Sequence, residues 1–61
     1  MSWLFDKRTE KNLTQEQVSR RIGISRAAYA NIENGARNPS VAVAKRLGKT
    51  LGVKWTKFFE E

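Results

Sequence analysis

The sequence predicts an all-α fold in which five short helices pack around one small core. Apolar residues recur at intervals of three and four along most of the chain, which is the spacing of one helix face. Four of the five segments end at a glycine or an asparagine, residues that commonly terminate helices. With 61 residues and neither a linker nor an internal repeat, the chain is predicted to be a single domain, residues 1–61.

The composition argues against several classes of site. The chain has no cysteine and no histidine, so we expect no disulfide, no metal site and no cofactor. Its carboxylates show no spacing typical of a catalytic pair, so we predict no enzymatic activity. The tripeptide at 48–50 resembles the end of a phosphate-binding loop, but valine stands at position 43, where that motif requires glycine.

The charge balance suggests the kind of partner. Twelve basic against six acidic residues give a net charge of +6. This predicts a polyanionic partner, nucleic acid before an acidic membrane surface, although charge alone also fits a merely soluble basic protein. No apolar run approaches the ~20 residues that span a bilayer, and the amino end lacks a secretory pattern. We therefore expect a cytoplasmic location and no membrane partner.

The first predicted helix follows Ser2, which can cap it, and ends at Asn12. Leu4 and Arg8 lie on one face of this helix because they are four residues apart.

The second predicted helix runs from Gln15 to about Ile22. Thr14 is its cap, and Gln17 three residues later completes a capping-box pattern. Val18 and Ile22 form its apolar face, and Gly23 ends it because glycine tolerates the left-handed conformation.

The third predicted helix follows closely, because only Ile24 lies between Gly23 and its cap. Ser25 caps it, it runs from Arg26 to about Glu33, and Asn34-Gly35 ends it. Two helices joined by such a short glycine-containing turn form a helix-turn-helix signature, here at about residues 14–34. Turn spacing alone fits any tight helical hairpin equally well.

The remaining chain predicts two more helices. Ser40 caps a helix from Val41 to about Leu51, in which Gly48 costs about 1 kcal/mol relative to alanine. Three aromatic residues spaced i, i+3, i+4 then predict a short fifth helix that closes the core: Trp55, Phe58 and Phe59.

Taken together, these motifs resemble the lambda-repressor-like (Cro/CI, Xre) DNA-binding family. The resemblance in the first half of the chain rests on Leu13, Thr14, Gln15, Ser19, Gly23, Ile24, Ser25, Ile32, Glu33 and Gly35. It continues through Arg37, Pro39, Ser40, Leu51, Gly52, Val53, Phe58 and Phe59. The sequence departs from the family pattern at Ser19 and Gly48, where alanine is common, and at Lys54, where a capping residue is common.

The resemblance implies a compact five-helix domain and a sequence-specific regulator of transcription that binds double-stranded DNA. The helix at about residues 25–33 would enter the major groove. The base-reading positions of the family correspond to Arg26, Ala27, Ala28 and Asn31. Arginine suits guanine and asparagine suits adenine, although Arg26 bound to phosphate and Asn31 merely exposed stay open as alternatives.

The resemblance also implies positions that contact the DNA backbone and positions that hold the fold. The backbone positions correspond to Thr14, Gln15, Asn34, Ala36 and Arg37, where Ala36 offers only its main chain. Arg8 and Glu33 correspond to a structural ion pair, with an exposed Arg8 as the alternative. Most other basic side chains are expected on solvated faces: Arg20, Arg21, Lys45, Arg46 and Lys49.

Members of the family bind near-palindromic operators as dimers, so the resemblance implies a homodimer, and repression is the default for so small a chain. Trp55, Phe58 and Phe59 are the candidate dimer interface, unless all three simply fill the core. The alternative function is an antitoxin or anti-repressor module that binds a protein through these aromatics. We expect no small-molecule effector. Met1 and Glu60-Glu61 resemble natural ends, with a fragment of a longer regulator as the alternative.

Overall fold

The computed structural model describes residues 1–60, and in that range it contains four α-helices, one 3₁₀ helix and no β-strand. The helices are α1 (Ser2–Glu10), α2 (Gln15–Ile22), α3 (Arg26–Glu33) and α4 (Val41–Leu51), followed by the 3₁₀ helix Trp55–Phe59. The all-α prediction is therefore confirmed, whereas the count of five α-helices is not. The last segment has five residues and no side-chain cap, and so short a piece commonly adopts the tighter 3₁₀ geometry.

The start of α1 differs from the prediction. Met1 is the N-cap residue and its carbonyl oxygen accepts hydrogen bonds from the N–H groups of Leu4 and Phe5. Ser2 lies inside the helix, so its predicted capping role is wrong. Asn12 adopts a left-handed conformation with φ of 57° just after the helix, where the chain turns toward α2.

The other helix starts are built by the capping residues that the sequence predicts. Thr14 and Gln17 form a complete capping box at α2, with each side chain bonded to the main-chain N–H of the other residue. Ser25 Oγ accepts from Ala28 N at 3.0 Å, and Ser40 Oγ accepts from Val43 N at 3.1 Å. These bonds satisfy N–H groups that a helix start leaves without partners.

The core lies between all five segments and consists of side chains from each of them. Its buried apolar members are Leu4, Val18, Ile22, Tyr29, Ile32, Ala44, Leu47, Leu51 and Phe58.

Gly48 allows the chain after α4 to approach that helix closely. A Cβ atom at this position would lie 2.6 Å from the carbonyl oxygen of Val53 and 3.2 Å from the nitrogen of Trp55. The glycine therefore accommodates the return of the chain that delivers the 3₁₀ helix to the core.

Candidate nucleic-acid interface

The exposed face of α3 is defined by the residues that it buries. Tyr29, Ile32 and Glu33 are buried, so the opposite side of this helix is turned to solvent. Ala27 and Asn31 lie there, four residues apart, and both are exposed. A small residue beside an amide donor and acceptor gives a face that can approach a base-pair edge closely.

Arg26 and Ala28 flank this face in different surroundings. Arg26, the first residue of α3, is exposed and lines an open cleft of about 800 Å³ together with Thr14 and Gln15. Ala28 is half-buried and lines a smaller groove of about 210 Å³ that also includes Arg37. The cleft thus brings a predicted base-reading residue next to two predicted backbone-contact residues.

The amino end of α2 offers main-chain donors to this cleft. The capping box uses the N–H groups of Thr14 and Gln17. Among residues 1–60 no hydrogen bond uses the N–H groups of Gln15 or Glu16. Free N–H groups at a helix start, together with the helix dipole, favour an anion.

A buried carboxylate links α3 to α1 and α2. Arg8 Nε donates to Glu33 Oε1 at 3.0 Å, and Gln15 Nε2 donates to Glu33 Oε2. Arg8 Nη1 also donates to the carbonyl oxygen of Leu13 at 2.8 Å, which fixes the turn before α2. The structure thus brings Arg8 and Glu33 together, and it adds Gln15 as a third member that the sequence did not indicate.

Tyr29 lies against this cluster in the interior. Its ring is completely buried, and within the described chain its hydroxyl has no hydrogen-bond partner. Burial raises the pKa of Tyr29 to about 12, with a further rise from the charge of Glu33 that Arg8 partly offsets. The hydroxyl is therefore neutral at ordinary pH.

The loop after α3 is fastened to the carboxyl end of that helix. The carbonyl oxygen of Asn31 accepts from Ala36 N at 2.9 Å and from Arg37 N at 3.2 Å, and Gly35 has a φ of 79°. The N–H of Ala36 is therefore already used within the chain, and the contact of its main chain with the DNA backbone stays a prediction. Asn34 and Arg37 are exposed, and Arg37 forms no ion pair with any residue in 1–60.

Arg46 has a structural position that its sequence pattern did not indicate. Its Nη1 donates to the carbonyl oxygen of Ile22 at 3.2 Å, at the carboxyl end of α2. It therefore caps the turn between α2 and α3, rather than lying on a purely solvated face. The bond joins residues 24 positions apart, so no local signal could have revealed it.

The aromatic residues near the carboxyl end divide between the core and the surface. Phe58 is only 5% exposed and packs on Trp3 with ring centroids 5.0 Å apart. Phe58 thus lies in the core, as the core-filling alternative expects for it, and a dimer contact at this residue stays a prediction. Trp55 is half-buried with Lys45 over its ring, and Phe59 is 45% exposed.

The structure also bears on a metal site and on a membrane-spanning helix. No group of three or more acidic, histidine or cysteine side chains within residues 1–60 is placed to hold a metal ion. None of the helices in the described range has the length and apolar character needed to cross a membrane.

Comparison with known proteins identifies relatives of this chain. A helix-turn-helix family model matches residues 4–58. An uncharacterised HTH-type transcriptional regulator of Bacillus subtilis, YqaF, is 52% identical over 59 residues, which cover 97% of this chain and 78% of that protein. A second such regulator, y4dJ of Sinorhizobium fredii, is 46% identical over 46 residues, covering 75% of this chain and 60% of the relative.

A third relative carries a more specific description. The cryptic phage CTXphi transcriptional repressor RstR of Vibrio cholerae is 35% identical over 52 residues, which cover 85% of this chain but only 47% of RstR. No solved structure matches the chain.

Proposed function

Because the chain belongs to the Cro/CI/Xre-type helix-turn-helix family of DNA-binding transcriptional regulators, we propose that it recognises a specific operator with α3. The proposed binding unit is a homodimer on a near-palindromic site, and the proposed effect is repression. The observation that carries this proposal is the exposed face of Ala27 and Asn31 on α3.

The proposed base contacts follow from the chemistry of that face. Asn31 suits the paired donor and acceptor of adenine in the major groove, and Ala27 suits a thymine methyl group. Arg26 lines the cleft beside α2, so it reaches either a guanine or a phosphate. Ala28 is half-buried, which leaves it a smaller share of the contact.

The proposed backbone contacts lie on both sides of α3. On one side are the Gln15 amide, the Thr14 hydroxyl and the free N–H groups at the start of α2. On the other side are the exposed side chains of Asn34 and Arg37. Contacts of this kind fix the register of the helix without reading sequence. About three phosphate contacts per subunit predict a log–log salt slope near −5 for a dimer.

A dimer is proposed because one short helix reads too little DNA. A site of four or five base pairs recurs too often among the ~10⁶ or more competing sites of a genome. Two subunits on half-sites about 34 Å apart resolve this difficulty. Phe59 and the accessible part of Trp55 are the proposed dimer contacts, with Phe58 supporting them from the core.

Repression is proposed from two considerations. RstR, which shares 35% identity over 52 residues, is described as a transcriptional repressor. A bound dimer on a promoter excludes polymerase by occupancy alone, which requires no further surface.

A second candidate function is a protein-interaction module of the same fold. The observation in its favour is the exposure of two large aromatics, Phe5 at 50% and Phe59 at 45%. In such a module these side chains would bind a protein, and DNA would be contacted weakly or not at all.

Selection from random duplex DNA tests the proposal. The folded protein is mixed with the pool at about 0.15 M salt, where weak nonspecific binding is reduced, and the bound DNA is sequenced. An inverted repeat with half-sites one helical turn apart is the expected result. No enrichment, from protein that circular dichroism shows to be helical, would contradict the proposal and favour the interaction module.

A further inference from the structure

We propose that Glu33 is a positioning residue for DNA binding, because its buried carboxylate orients the Gln15 amide toward a DNA phosphate. This inference rests on the proposed function, since it concerns the same backbone contact. It assigns a role in binding to a residue that is only 6% exposed and does not itself reach DNA.

The geometry gives each carboxylate oxygen its own partner. Glu33 Oε1 accepts from Arg8 Nε at 3.0 Å, and Oε2 accepts from Gln15 Nε2. Arg8 is itself fixed by its second bond, 2.8 Å long, to the carbonyl oxygen of Leu13. Arg8 therefore holds the carboxylate of Glu33 in place independently of Gln15.

The chemistry of the two groups determines how the amide is oriented. A carboxylate only accepts hydrogen bonds, whereas an amide has an accepting oxygen and a donating NH₂ group. Glu33 must therefore face Gln15 Nε2, because the reversed amide would place its oxygen against a negative charge. One N–H of Gln15 is used by Glu33, and within the described residues 1–60 the second remains available to an outside acceptor.

The available N–H lies in a suitable place for a phosphate. Gln15 is the first residue of α2, where its own N–H and that of Glu16 have no partner in residues 1–60. The side-chain donor thus joins two main-chain donors at a helix start. Without Glu33, the final torsion of the glutamine is broad, and ordering the amide on DNA would reduce the affinity.

The Arg8 charge is needed for the same contact. An isolated carboxylate behind Gln15 would repel a phosphate bound in front of it. Arg8 neutralises this charge at 3.0 Å, so the pair orients the amide without opposing the anion.

The test separates positioning from simple stabilisation of the fold. Three proteins are compared with wild type on the selected operator: Gln15→Ala, the apolar pair Arg8→Met/Glu33→Leu, and the combined triple variant. The apolar pair keeps buried volume, so the fold is expected to be retained. The exposed pair Lys7→Met/Glu10→Leu on α1 is a matched control that also removes one charge of each sign.

The expected result is strong coupling between the Arg8–Glu33 pair and Gln15. Gln15→Ala lowers affinity about tenfold, which corresponds to about 1.4 kcal/mol. The apolar pair also lowers affinity, and adding Gln15→Ala to it changes affinity less than twofold. The control pair leaves the effect of Gln15→Ala unchanged. Independent, multiplying effects in the triple variant would overturn the positioning role while leaving DNA binding by α3 intact.

A second measurement does not depend on DNA. In wild type the Gln15 side-chain NH₂ signals in the NMR spectrum should be shifted and slow to exchange, because Glu33 holds one of the two protons. In the apolar pair variant they should move to the values of a free amide. Free-amide signals in wild type would overturn the proposal even if DNA binding is specific. Shifted, slowly exchanging signals without any DNA binding would confirm the Glu33–Gln15 contact but refute the proposed function, and with it the role of that contact in binding.

Discussion

Replacement of Arg8 by alanine should destabilise the fold severely. The change removes the 3.0 Å bond to Glu33 and the 2.8 Å bond to the carbonyl oxygen of Leu13. It also removes the guanidinium from above the ring of Phe5, 5.2 Å from its centroid. The Glu33 carboxylate stays buried, and among residues 1–60 it keeps only the neutral Gln15 amide as a partner.

The size of the effect follows from the burial of the pair. Removal of one partner of a buried ion pair costs about 3–5 kcal/mol, because the remaining charge is left uncompensated. A chain of 61 residues has a total stability of only about 3–9 kcal/mol. Arg8→Ala should therefore leave the protein marginally folded or largely unfolded at room temperature.

Urea unfolding followed by circular dichroism and tryptophan fluorescence measures the loss. Arg8→Met/Glu33→Leu should recover to within about 2 kcal/mol of wild type, since a buried pair can be replaced by apolar residues of similar volume. The exposed pair Lys7 and Glu10, 3.9 Å apart, is the control, and its removal should cost less than about 1 kcal/mol. A loss below about 1 kcal/mol for Arg8→Ala would refute the reasoning, because a buried uncompensated charge costs more.

Three further predictions concern single residues of the core and of α4. Burial raises the pKa of Tyr29 from 10.0 to about 12. The contribution of neutral Tyr29 to the free energy of unfolding should therefore be complete below pH 10. It should fall by about 2–3 kcal/mol as the pH rises to 12. This fall in stability between pH 10 and 12 should be absent in Tyr29→Phe. Since the sequence has one tyrosine, tyrosinate absorbance reports on this residue directly. A tyrosine titration near pH 10 would contradict its burial. Gly48→Ala should destabilise by about 1–2 kcal/mol despite the better helix propensity of alanine, because its Cβ would lie 2.6 Å from a main-chain oxygen. A higher melting temperature for this variant would show that the close approach is absent. Arg46→Met should lower stability by about 0.5–1 kcal/mol through loss of the bond to the carbonyl oxygen of Ile22. As a control, replacement of the exposed Lys49 by methionine should change stability by less than about 0.5 kcal/mol. Equal effects of the two changes in chemical denaturation would argue against a specific role for Arg46.

The parts of the fold that the sequence predicts are those with local signals. The bounds of α2 and α4 follow from Thr14, Gly23, Ser40 and Gly52, which act on the residues beside them. The 3₁₀ geometry of the last helix does not follow from local signals. Phe58 packs on Trp3 from the opposite end of the chain, and the chain must pass closely over Gly48 to bring it there.

The candidate site shows the same division. Exposure of Ala27 and Asn31 follows from the helical period of α3. The involvement of Gln15 with Glu33 and of Arg46 with Ile22 depends on how distant elements pack, over separations of 18 and 24 residues. The occupied N–H of Ala36 depends on the exact return of its loop to Asn31, which residue types alone do not specify.

The central claim is that the outer face of α3 reads base pairs. Parallel selections from random duplex DNA with wild type and Asn31→Ala test it most directly. The account predicts that Asn31→Ala loses preference at one base pair in each half-site, at a cost of about 1–3 kcal/mol, and keeps the preferences at the other positions. Identical base preferences in the two selections, or equal weakening on every sequence, would contradict recognition by this face of the helix.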